Sequence, residues 1–437
     1  MKKLIIPAGL IFFILLLPIN LFGQLDNLAN MSAEWVRTGN RNAAVDGADI
    51  VNYNPSGLVI LDDGFHINFG NQMLIRNPKH TYDLGYGENT FSHEGTDLLL
   101  PNFYAVYKNY RLALYSGAYI AGGGGAIEYP QGSISTNFIG KMLSENLKIP
   151  YNKLINQNLS GSSFYNAITA GGTYKINNLI SFSAGARYIM AAKSTIAGMT
   201  IEGRLNIPDN EINIDIEENA SGMGGVFGLS LAPSKEVNLS IHYETRVKLD
   251  FKTTVNKDDT KNFLDGAQNR RDLPAALYLG LHIQLNDELW AEGNFNYYYQ
   301  TMTDWGKTDD DMEWSNIAGD SYKVGGVFGY QMGDKTEFSF GGVFTGFNYD
   351  DQEKYFTQIG TIEVLKYGYL TLNTGIGYSL NQKIRLNLGI ARSFWKKGSI
   401  RLYDSYDIFV SNGAWIGAIG LNINLFGKNE EKGIYYY

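Results

Sequence analysis

The chain has 437 residues, a formal net charge of −8 and no cysteine, which excludes disulfides, thiolate metal sites and lipoprotein acylation. An acidic chain without a basic patch argues against nucleic acid as a partner. Only 18% of residues are charged, whereas glycine (50) and tyrosine (30) are frequent. This composition is typical of transmembrane β-barrels, although a soluble β-sandwich would also fit it.

The first 24 residues form a predicted export signal. Two lysines precede the apolar run 4–19, and no further charge appears before residue 26. A basic start followed by an apolar centre is the secretory pattern. The run is short for a membrane helix and contains Pro18, which would interrupt one. We therefore predict a signal peptide at 1–24, with a retained anchor helix as the alternative.

Fourteen segments after residue 63 have an apolar or alternating pattern that predicts strands. They are 64–75, 101–108, 111–121, 162–176, 179–193, 222–231, 236–253, 273–285, 288–300, 320–331, 335–347, 366–380, 383–395 and 413–427. Segment 237–251 (VNLSIHYETRVKLDF) is the clearest, because its odd positions are apolar except for Thr245 and its even positions are polar. Period 2 over this length predicts a strand with one apolar and one polar face, longer than most strands of soluble proteins.

The connections between these segments alternate in length. Short turns of two to four residues alternate with long connections such as 76–100, 122–161 and 194–221. Outer-membrane barrels have this arrangement, with even strand numbers, short periplasmic turns and long outer loops. We therefore predict an all-β fold: a 14-stranded antiparallel transmembrane β-barrel over 64–427, with a periplasmic tail at 428–437.

The polar face of the strands would line a lumen wider than that of an 8-stranded barrel. Residues 25–63 precede the first strand without a strand period, so we predict that they plug this lumen as an N-terminal hatch. Charged and imidazole side chains on the polar face are candidates for binding a ligand in the lumen, although pairing with each other would explain most of them. These candidates are Arg187, His242, Arg246, His282, Lys323 and Arg385.

Several local motifs carry a resemblance to a known family. The turn Asn54-Pro55-Ser56-Gly57 lies shortly before the first strand, RVKLDFK occurs at 246–252 in the seventh, and Leu273-Pro274 opens the eighth. In these features the chain resembles the FadL family of outer-membrane channels for long-chain fatty acids and other hydrophobic compounds, including toluene and xylene. The family commonly has Ala where this chain has Ser56.

The resemblance implies passive uptake of a hydrophobic compound, with long-chain fatty acids favoured. Outer loops would capture the ligand, the lumen would receive it, and hatch movement would release it through the wall at a kinked third strand. In this chain that strand runs into four glycines, and the candidates for the lateral opening are Ser116, Gly117, Gly122 and Gly123. The alternative is that the glycines only begin a mobile loop.

Connection 122–161 is a candidate for ligand capture. Apolar residues recur there at helical spacing before Pro150: Phe138, Ile139, Met142, Leu143 and Leu147. They would form an apolar groove or simply pack on the barrel rim. A second short helical piece is predicted at 153–159.

Other functions have less support. The sequence contains no G-x-S-x-G or H-E-x-x-H motif, so we expect no enzyme and no cofactor. A general diffusion porin and a structural or adhesive barrel remain as alternatives. Expected partners are the hydrophobic ligand, outer-membrane lipid and lipopolysaccharide, and the barrel-assembly machinery, with the chain acting as a monomer.

Overall fold

The computed structural model describes residues 32–83, 88–146, 153–203, 208–356, 361–364, 367–402 and 406–425. The predicted signal peptide, the first residues of the hatch (25–31) and the C-terminal tail lie outside these residues. None of the helices in the described part of the chain is long and apolar enough to cross a membrane.

The described residues form twenty strands and a few short helices. The strands are β1 (Gly64–Arg76), β2 (Lys79–Asp83), β3 (Glu88–Ser92), β4 (Thr96–Asn109), β5 (Leu112–Tyr129), β6 (Leu154–Lys175), β7 (Ile180–Ile201), β8 (Asn210–Leu231), β9 (Val237–Glu244), β10 (Asp250–Asp258), β11 (Gln268–Arg270), β12 (Ala275–Gln284), β13 (Leu289–Tyr299), β14 (Ser321–Met332), β15 (Thr336–Phe347), β16 (Tyr369–Ser379), β17 (Ile384–Trp395), β18 (Gly398–Leu402), β19 (Tyr406–Ser411) and β20 (Gly413–Leu425). The α-helices are α1 (Ala33–Thr38), α2 (Ile134–Asn146), α3 (Trp314–Ala318) and α4 (Gln352–Tyr355), and 3-10 helices span Ala48–Asn52, Pro55–Ile60, Gln300–Met302 and Ile362–Val364.

The wall is a closed antiparallel barrel of fourteen strands, as the sequence predicts, if β9 and β10 count as one interrupted strand and β11 and β12 as another. β1 pairs with β20 and with β4, and β8 pairs with β9 to close the ring. Both ends of the wall, at Gly64 and Leu425, lie at the short-turn end. We call the opposite end, which carries the long loops, the outer end. There β2 and β3 join β18 and β19 in a separate four-stranded sheet.

The predicted alternation of faces holds through most of the wall. On β1, His66, Asn68 and Gln72 are buried towards the lumen, whereas Phe69 and Met73 point outward and are exposed. An apolar outer face and a polar inner face are the arrangement that a barrel needs in a membrane.

Strands β5 to β8 extend further towards the outer end than predicted. Residues 210–221, predicted to be loop, belong to β8, and 194–201 belong to β7. The prediction was wrong because the faces exchange character here. Ile212, Ile214 and Ile216 are buried inside, while polar neighbours face outward. Outside the membrane, the outer face meets water and the inner face packs a core.

That core closes the outer end of the barrel, and we call it the outer cap. It joins inward apolar residues of β5 to β8 and β10 with residues of the long loops. Its members include Ile127, Tyr129, Ile139, Met199, Ile201, Ile212, Ile214, Phe251, Trp305, Trp314, Tyr355 and Phe356. The predicted helical piece at 153–159 is wrong, because β6 begins at Leu154.

Candidate functional site

The hatch fills the lumen at the short-turn end of the barrel. Ser32 caps the start of helix α1 by accepting the Trp35 N–H with its side chain, and Gly39 caps the end of the helix with a left-handed backbone. Glu34 on this helix faces the wall. Its Oε1 accepts hydrogen bonds from three amide side chains on three wall strands: Asn68 (2.8 Å), Asn387 (2.6 Å) and Asn422 (2.8 Å). One carboxylate oxygen therefore ties the hatch to β1, β17 and β20.

The predicted Asn54–Gly57 turn is a second anchor. It opens a 3-10 helix with Pro55 at the first position, where the missing N–H costs nothing. Hydroxyls on three adjacent strands hold it: Thr173 on β6 donates to the Pro55 carbonyl (2.6 Å), Ser181 on β7 to the Ser56 carbonyl (2.7 Å), and Ser230 on β8 to Asn54 Oδ1 (3.1 Å). The hatch is thus fixed to opposite sides of the barrel.

Inward-facing glycines give the hatch its space. A Cβ on Gly389 of β17 would lie 2.6 Å from the backbone nitrogen of Arg37, and one on Gly375 of β16 would collide with the Arg37 Cβ. On the other side, a Cβ on Gly280 of β12 would lie 2.6 Å from the Ala43 nitrogen. The wall strands therefore need glycine where the hatch backbone approaches them.

A pocket lies above the hatch, between it and the outer cap. Trp35, Asn42, Asn52 and Tyr53 of the hatch form its floor. Its walls come from β5, β7, β9, β12, β13, β14 and the residues before β12: Tyr119, Ala121, Arg187, Glu244, Leu273, Pro274, Ala276, Tyr278, Asn296, Tyr298 and Lys323. The pocket thus combines aromatic surface with a small number of charged groups, as ligand sites commonly do.

The charged groups of the pocket are led by Arg187. Its Nη1 donates to Glu244 Oε2 at 2.6 Å, and both side chains are buried. Nε and Nη2 of Arg187 have no hydrogen-bond partner among the described residues. Lys323 lies with its Nζ 5.6 Å from the centre of the Tyr298 ring. The two unbonded Arg187 nitrogens are buried donors without acceptors, which is costly, so the Arg187 site favours a ligand that brings an acceptor.

The pocket brings together only two of the six predicted lumenal candidates, Arg187 and Lys323. His242 stacks on Tyr278, and its Nδ1 lies 3.0 Å from the Tyr53 carbonyl oxygen. Two others lie below, towards the short-turn end: His282 bonds to Glu292 (3.0 Å), and Arg385 pairs with Glu337 (3.1 Å). Within the described residues, no three acidic or histidine side chains are placed to hold a metal ion.

The lumenal prediction for Arg246 is wrong. Its side chain is 38% exposed and donates to the Met302 carbonyl at 2.8 Å. The cause is a one-residue change of register against β8, where Glu244 pairs with Val226 but Thr253 pairs with Glu218. After this change the odd residues face inward.

A pair of β8 glycines permits this change of register. Val247 is buried against Gly222 and Gly224, and a Cβ on Gly222 would collide with the Lys248 carbonyl oxygen. Val247, Leu249 and Phe251, predicted to face outward, are therefore buried.

The third wall strand, β5, is kinked beside the pocket. Its ladder with β4 runs from Asn109–Leu112 to Phe103–Ala118. Its ladder with β6 shifts twice, between Ile120 and Gly122 and between Gly122 and Gly125. Two of the predicted opening residues, Gly122 and Gly123, thus lie in the kink, whereas Ser116 and Gly117 lie in the regular ladder below it. Tyr119 and Ala121, which the sequence analysis missed, connect the kink to the pocket.

Helix α2 forms where the spacing of apolar residues predicts it. Ile139 is buried in the outer cap, and Phe138 and Leu143 pack against it partly buried. The two Glu363 carboxylate oxygens accept the Ser135 N–H and Oγ–H at the start of the helix, each at 3.0 Å. The packing against the rim therefore accounts for much of this apolar face. The Met142 side chain and Leu147 lie outside the described set.

The comparisons with known proteins agree on the fold. No family model matches the chain, and no curated protein matches its sequence. A crystal structure of a Pseudomonas aeruginosa FadL homologue is similar with a TM-score of 0.69 and 12% identity, over 91% of this chain and 99% of that one. The Ralstonia pickettii toluene transporter TbuX is similar with a TM-score of 0.59 and 14% identity, over 92% of this chain and 100% of that one. The Pseudomonas putida toluene transporter TodX is similar with a TM-score of 0.61 and 13% identity, over 91% of this chain and 99% of that one.

Fold and site together define a class: a transmembrane β-barrel whose lumen is plugged by its own N-terminal hatch. Within that class, the chain has the FadL-type fold of fourteen strands.

Proposed function

We propose that this protein is an outer-membrane channel for passive uptake of hydrophobic compounds that carry an anionic group, with long-chain fatty acids as the leading class. The observation that carries the proposal is the buried Arg187 guanidinium, which faces an aromatic pocket with two nitrogens unbonded among the described residues. A carboxylate would complete its hydrogen bonds, and bonds between charged groups are the strong ones. A neutral hydrocarbon has no acceptor, so the hydrogen bonds of these two nitrogens would remain unformed.

The route of the ligand follows from the layers of the barrel. The ligand first meets apolar loop residues at the outer end, with Phe138, Ile139, Met142, Leu143 and Leu147 as the proposed capture residues. It then enters the pocket above the hatch. The pocket adjoins the β5 kink through Tyr119 and Ala121, which supports lateral release into the membrane near Gly122 and Gly123. The structural neighbours TbuX and TodX carry the description of toluene transporters, which supports a hydrophobic cargo.

The proposal also covers where and with whom the protein works. We propose export through residues 1–24, insertion by the barrel-assembly machinery, and function as a monomer among outer-membrane lipid and lipopolysaccharide. A general diffusion porin would need an open lumen. The anchored hatch supports a plugged channel instead, so deletion of residues 40–57 should produce ion conductance in planar bilayers.

The test compares two cargoes in proteoliposomes, a radiolabelled C18 fatty acid and toluene. Arg187→Met should weaken binding and entry of the fatty acid about tenfold or more, the effect of losing a charged hydrogen bond. Entry of toluene should stay unchanged. Arg111→Met is the matched control, because Arg111 lies exposed at a short turn, and it should leave both cargoes unaffected. Equal transport of the acid by the Arg187→Met variant would overturn the assignment of the anionic class.

A further inference from the structure

We propose that Arg271 and Lys193 form a second anion-binding site, which lies in the outer cap and receives the carboxylate of the cargo before it reaches Arg187. This inference rests on the proposed function and extends it towards the outer end of the barrel. We call the two cations and the aromatic rings around them the cap anion site. The rings are those of Tyr165, Phe251 and Trp305.

Arg271 is a buried cation whose hydrogen bonds are incomplete. The residue follows β11 and is only 3% exposed. Its Nη2 donates to the Tyr355 hydroxyl at 2.9 Å, whereas Nη1 has no partner among the described residues. No carboxylate in the described part of the chain pairs with Arg271. A buried positive charge and one buried donor are therefore left without an acceptor, which is costly unless a ligand supplies one.

Lys193 supplies the second cation from the inner face of β7. Its Nζ lies 3.8 Å from Glu218 Oε2, which is beyond hydrogen-bond distance. The two side chains are only 4% and 12% exposed. Among the described residues, Glu218 is the one acidic side chain that pairs with either cation of the site. The site thus keeps an excess positive charge, which a carboxylate would balance.

Aromatic rings hold both cations in place. Lys193 Nζ lies 4.0 Å from the centre of the Phe251 ring, and the guanidinium carbon of Arg271 lies 4.4 Å from the centre of the Trp305 ring. The Trp305 indole N–H donates to the Asp272 carbonyl at 2.9 Å, which fixes this ring beside Arg271. Contact with an aromatic face attracts a cation. It provides no carboxylate acceptor, so the donors of both cations stay available for one.

A structural arginine in the same chain has a different environment. Arg41 of the hatch is as deeply buried as Arg271, at 3% exposure. Its Nε and Nη2 donate to the two carboxylate oxygens of Asp49 at 3.0 and 2.8 Å, and Nη2 also pairs with Asp46 at 2.6 Å. Arg271 instead shares the pattern of Arg187 in the pocket, a buried guanidinium with unpartnered nitrogens. This likeness supports the same kind of ligand at both places.

Two elements connect the cap anion site to the pocket. Lys193 and Arg187 share the inner face of β7 and are six residues apart, which is about 20 Å at the usual rise per residue. Arg271 comes two residues before Leu273, which lines the pocket. A carboxylate that enters from the outer end therefore meets one cationic site in the cap and a second, separate one deeper in the lumen.

The test places a bromine atom beside the carboxylate of the probe. When 2-bromohexadecanoate binds, it should quench the fluorescence of any tryptophan near its carboxylate. Trp305 reports on the cap anion site and Trp35 on the pocket, and each signal is the part of the quenching that disappears in Trp305→Phe or Trp35→Phe. The chain has no cysteine that the bromoacid could alkylate.

Arg271→Met and Lys193→Met should each raise the probe concentration needed for the Trp305 signal about tenfold, the effect of losing a charged hydrogen bond. The Trp35 signal should not change. The methyl ester of the probe carries no charge and should leave Trp305 unquenched.

Two further variants serve as controls. Lys252→Met changes an exposed cation on the outward face of β10 and should alter neither signal. Tyr355→Phe removes the hydrogen bond to Arg271 but keeps both cations, so it should retain the Trp305 signal. If Arg271 only served to hold Tyr355, the Tyr355→Phe variant would instead lose this signal, and the cap anion site would be overturned.

The remaining outcomes separate the cap anion site from the proposed function. Trp305 quenching that persists in both cation variants, or that the ester produces equally, would overturn the site. Loss of the Trp305 and Trp35 signals together in both cation variants would show a structural role and overturn it as well. If the acid quenches Trp35 but not Trp305 in wild type, the cap anion site fails and the pocket stands. If it quenches neither, the proposed function fails too.

Discussion

Arg37 of the hatch donates to the Glu337 carboxylate of β15 at 2.5 Å, and the two side chains are only 1% and 8% exposed. Removing one partner of a buried pair leaves an uncompensated charge, which costs about 3–5 kcal/mol. Glu337→Ala should therefore loosen the hatch and produce ion conductance in planar bilayers. The exposed Glu288 is the matched position, and Glu288→Ala should stay silent. Equal conductance from both variants would show that this ion pair does not hold the hatch.

The wall was accessible to sequence analysis because membrane and lumen impose opposite polarity on alternate residues. That rule requires apolar residues outside and polar residues inside, and it located all fourteen strands. The rule missed residues 210–221 of β8, because above the membrane the apolar side chains Ile212, Ile214 and Ile216 face the inside of the barrel and their polar neighbours face outward. Periodicity alone does not tell which face of a strand meets water.

A second prediction concerns the space for the hatch. Gly389→Ala places a methyl group 2.6 Å from the backbone nitrogen of Arg37, and the backbone cannot move aside as a flexible side chain can. Overpacking of this kind costs about 1–3 kcal/mol. Proteolysis should therefore cleave the hatch of this variant faster, while the barrel remains folded. Gly293→Ala is the control, because nothing lies within 4 Å of the added carbon. Equal cleavage rates would contradict the close fit.

A third prediction concerns the charge balance of the pocket. Glu244 pairs with Arg187 and also accepts the Tyr278 hydroxyl at 3.1 Å, so it competes with any ligand carboxylate for Arg187. Glu244→Gln should tighten fatty-acid binding about tenfold, because a neutral amide competes less for a guanidinium. Toluene affinity should not change. Glu292→Gln, below the hatch, is the matched control. Weaker binding of the acid by the Glu244→Gln variant would mean that Glu244 positions Arg187 rather than opposing the ligand.

The pocket was less predictable than the wall. Arg187 and Lys323 were identifiable as lumenal, because the alternation of polar and apolar residues assigns each side chain to one face of its strand. Alternation does not give distances between side chains, however. It therefore could not distinguish these two pocket residues from Arg385, which lies with Glu337 on the other side of the hatch. Arg246 was misplaced because one inserted residue exchanges the two faces of a strand. Glycines in the neighbouring strand β8, such as Gly222, were the sequence feature that could have indicated this change of register.

The last prediction concerns pH and the outer loops. His93 lies beyond the membrane-facing wall, and its Nδ1 accepts the Glu128 N–H at 2.8 Å. Burial lowers the pKa of His93 below its ordinary value of 6.5, and the positive charge of Arg76 lowers it further. The neutral ring is thus the form that the folded loops favour. The stability from this contact is complete above pH 6.5 and is lost as the pH falls through the lower pKa of the folded state.

Hydrogen exchange at residues 126–129, corrected for the intrinsic pH effect, should therefore be faster at pH 5 than at pH 7.5. His93→Asn provides a side-chain oxygen that accepts the same N–H without titrating, so it should retain protection at both pH values. Burial also lowers the pKa of the neighbouring His80, whose Nδ1 lies 3.5 Å from the Tyr129 hydroxyl. If the His93→Asn variant keeps the full pH dependence, His80 rather than His93 is the group that destabilises these loops in acid.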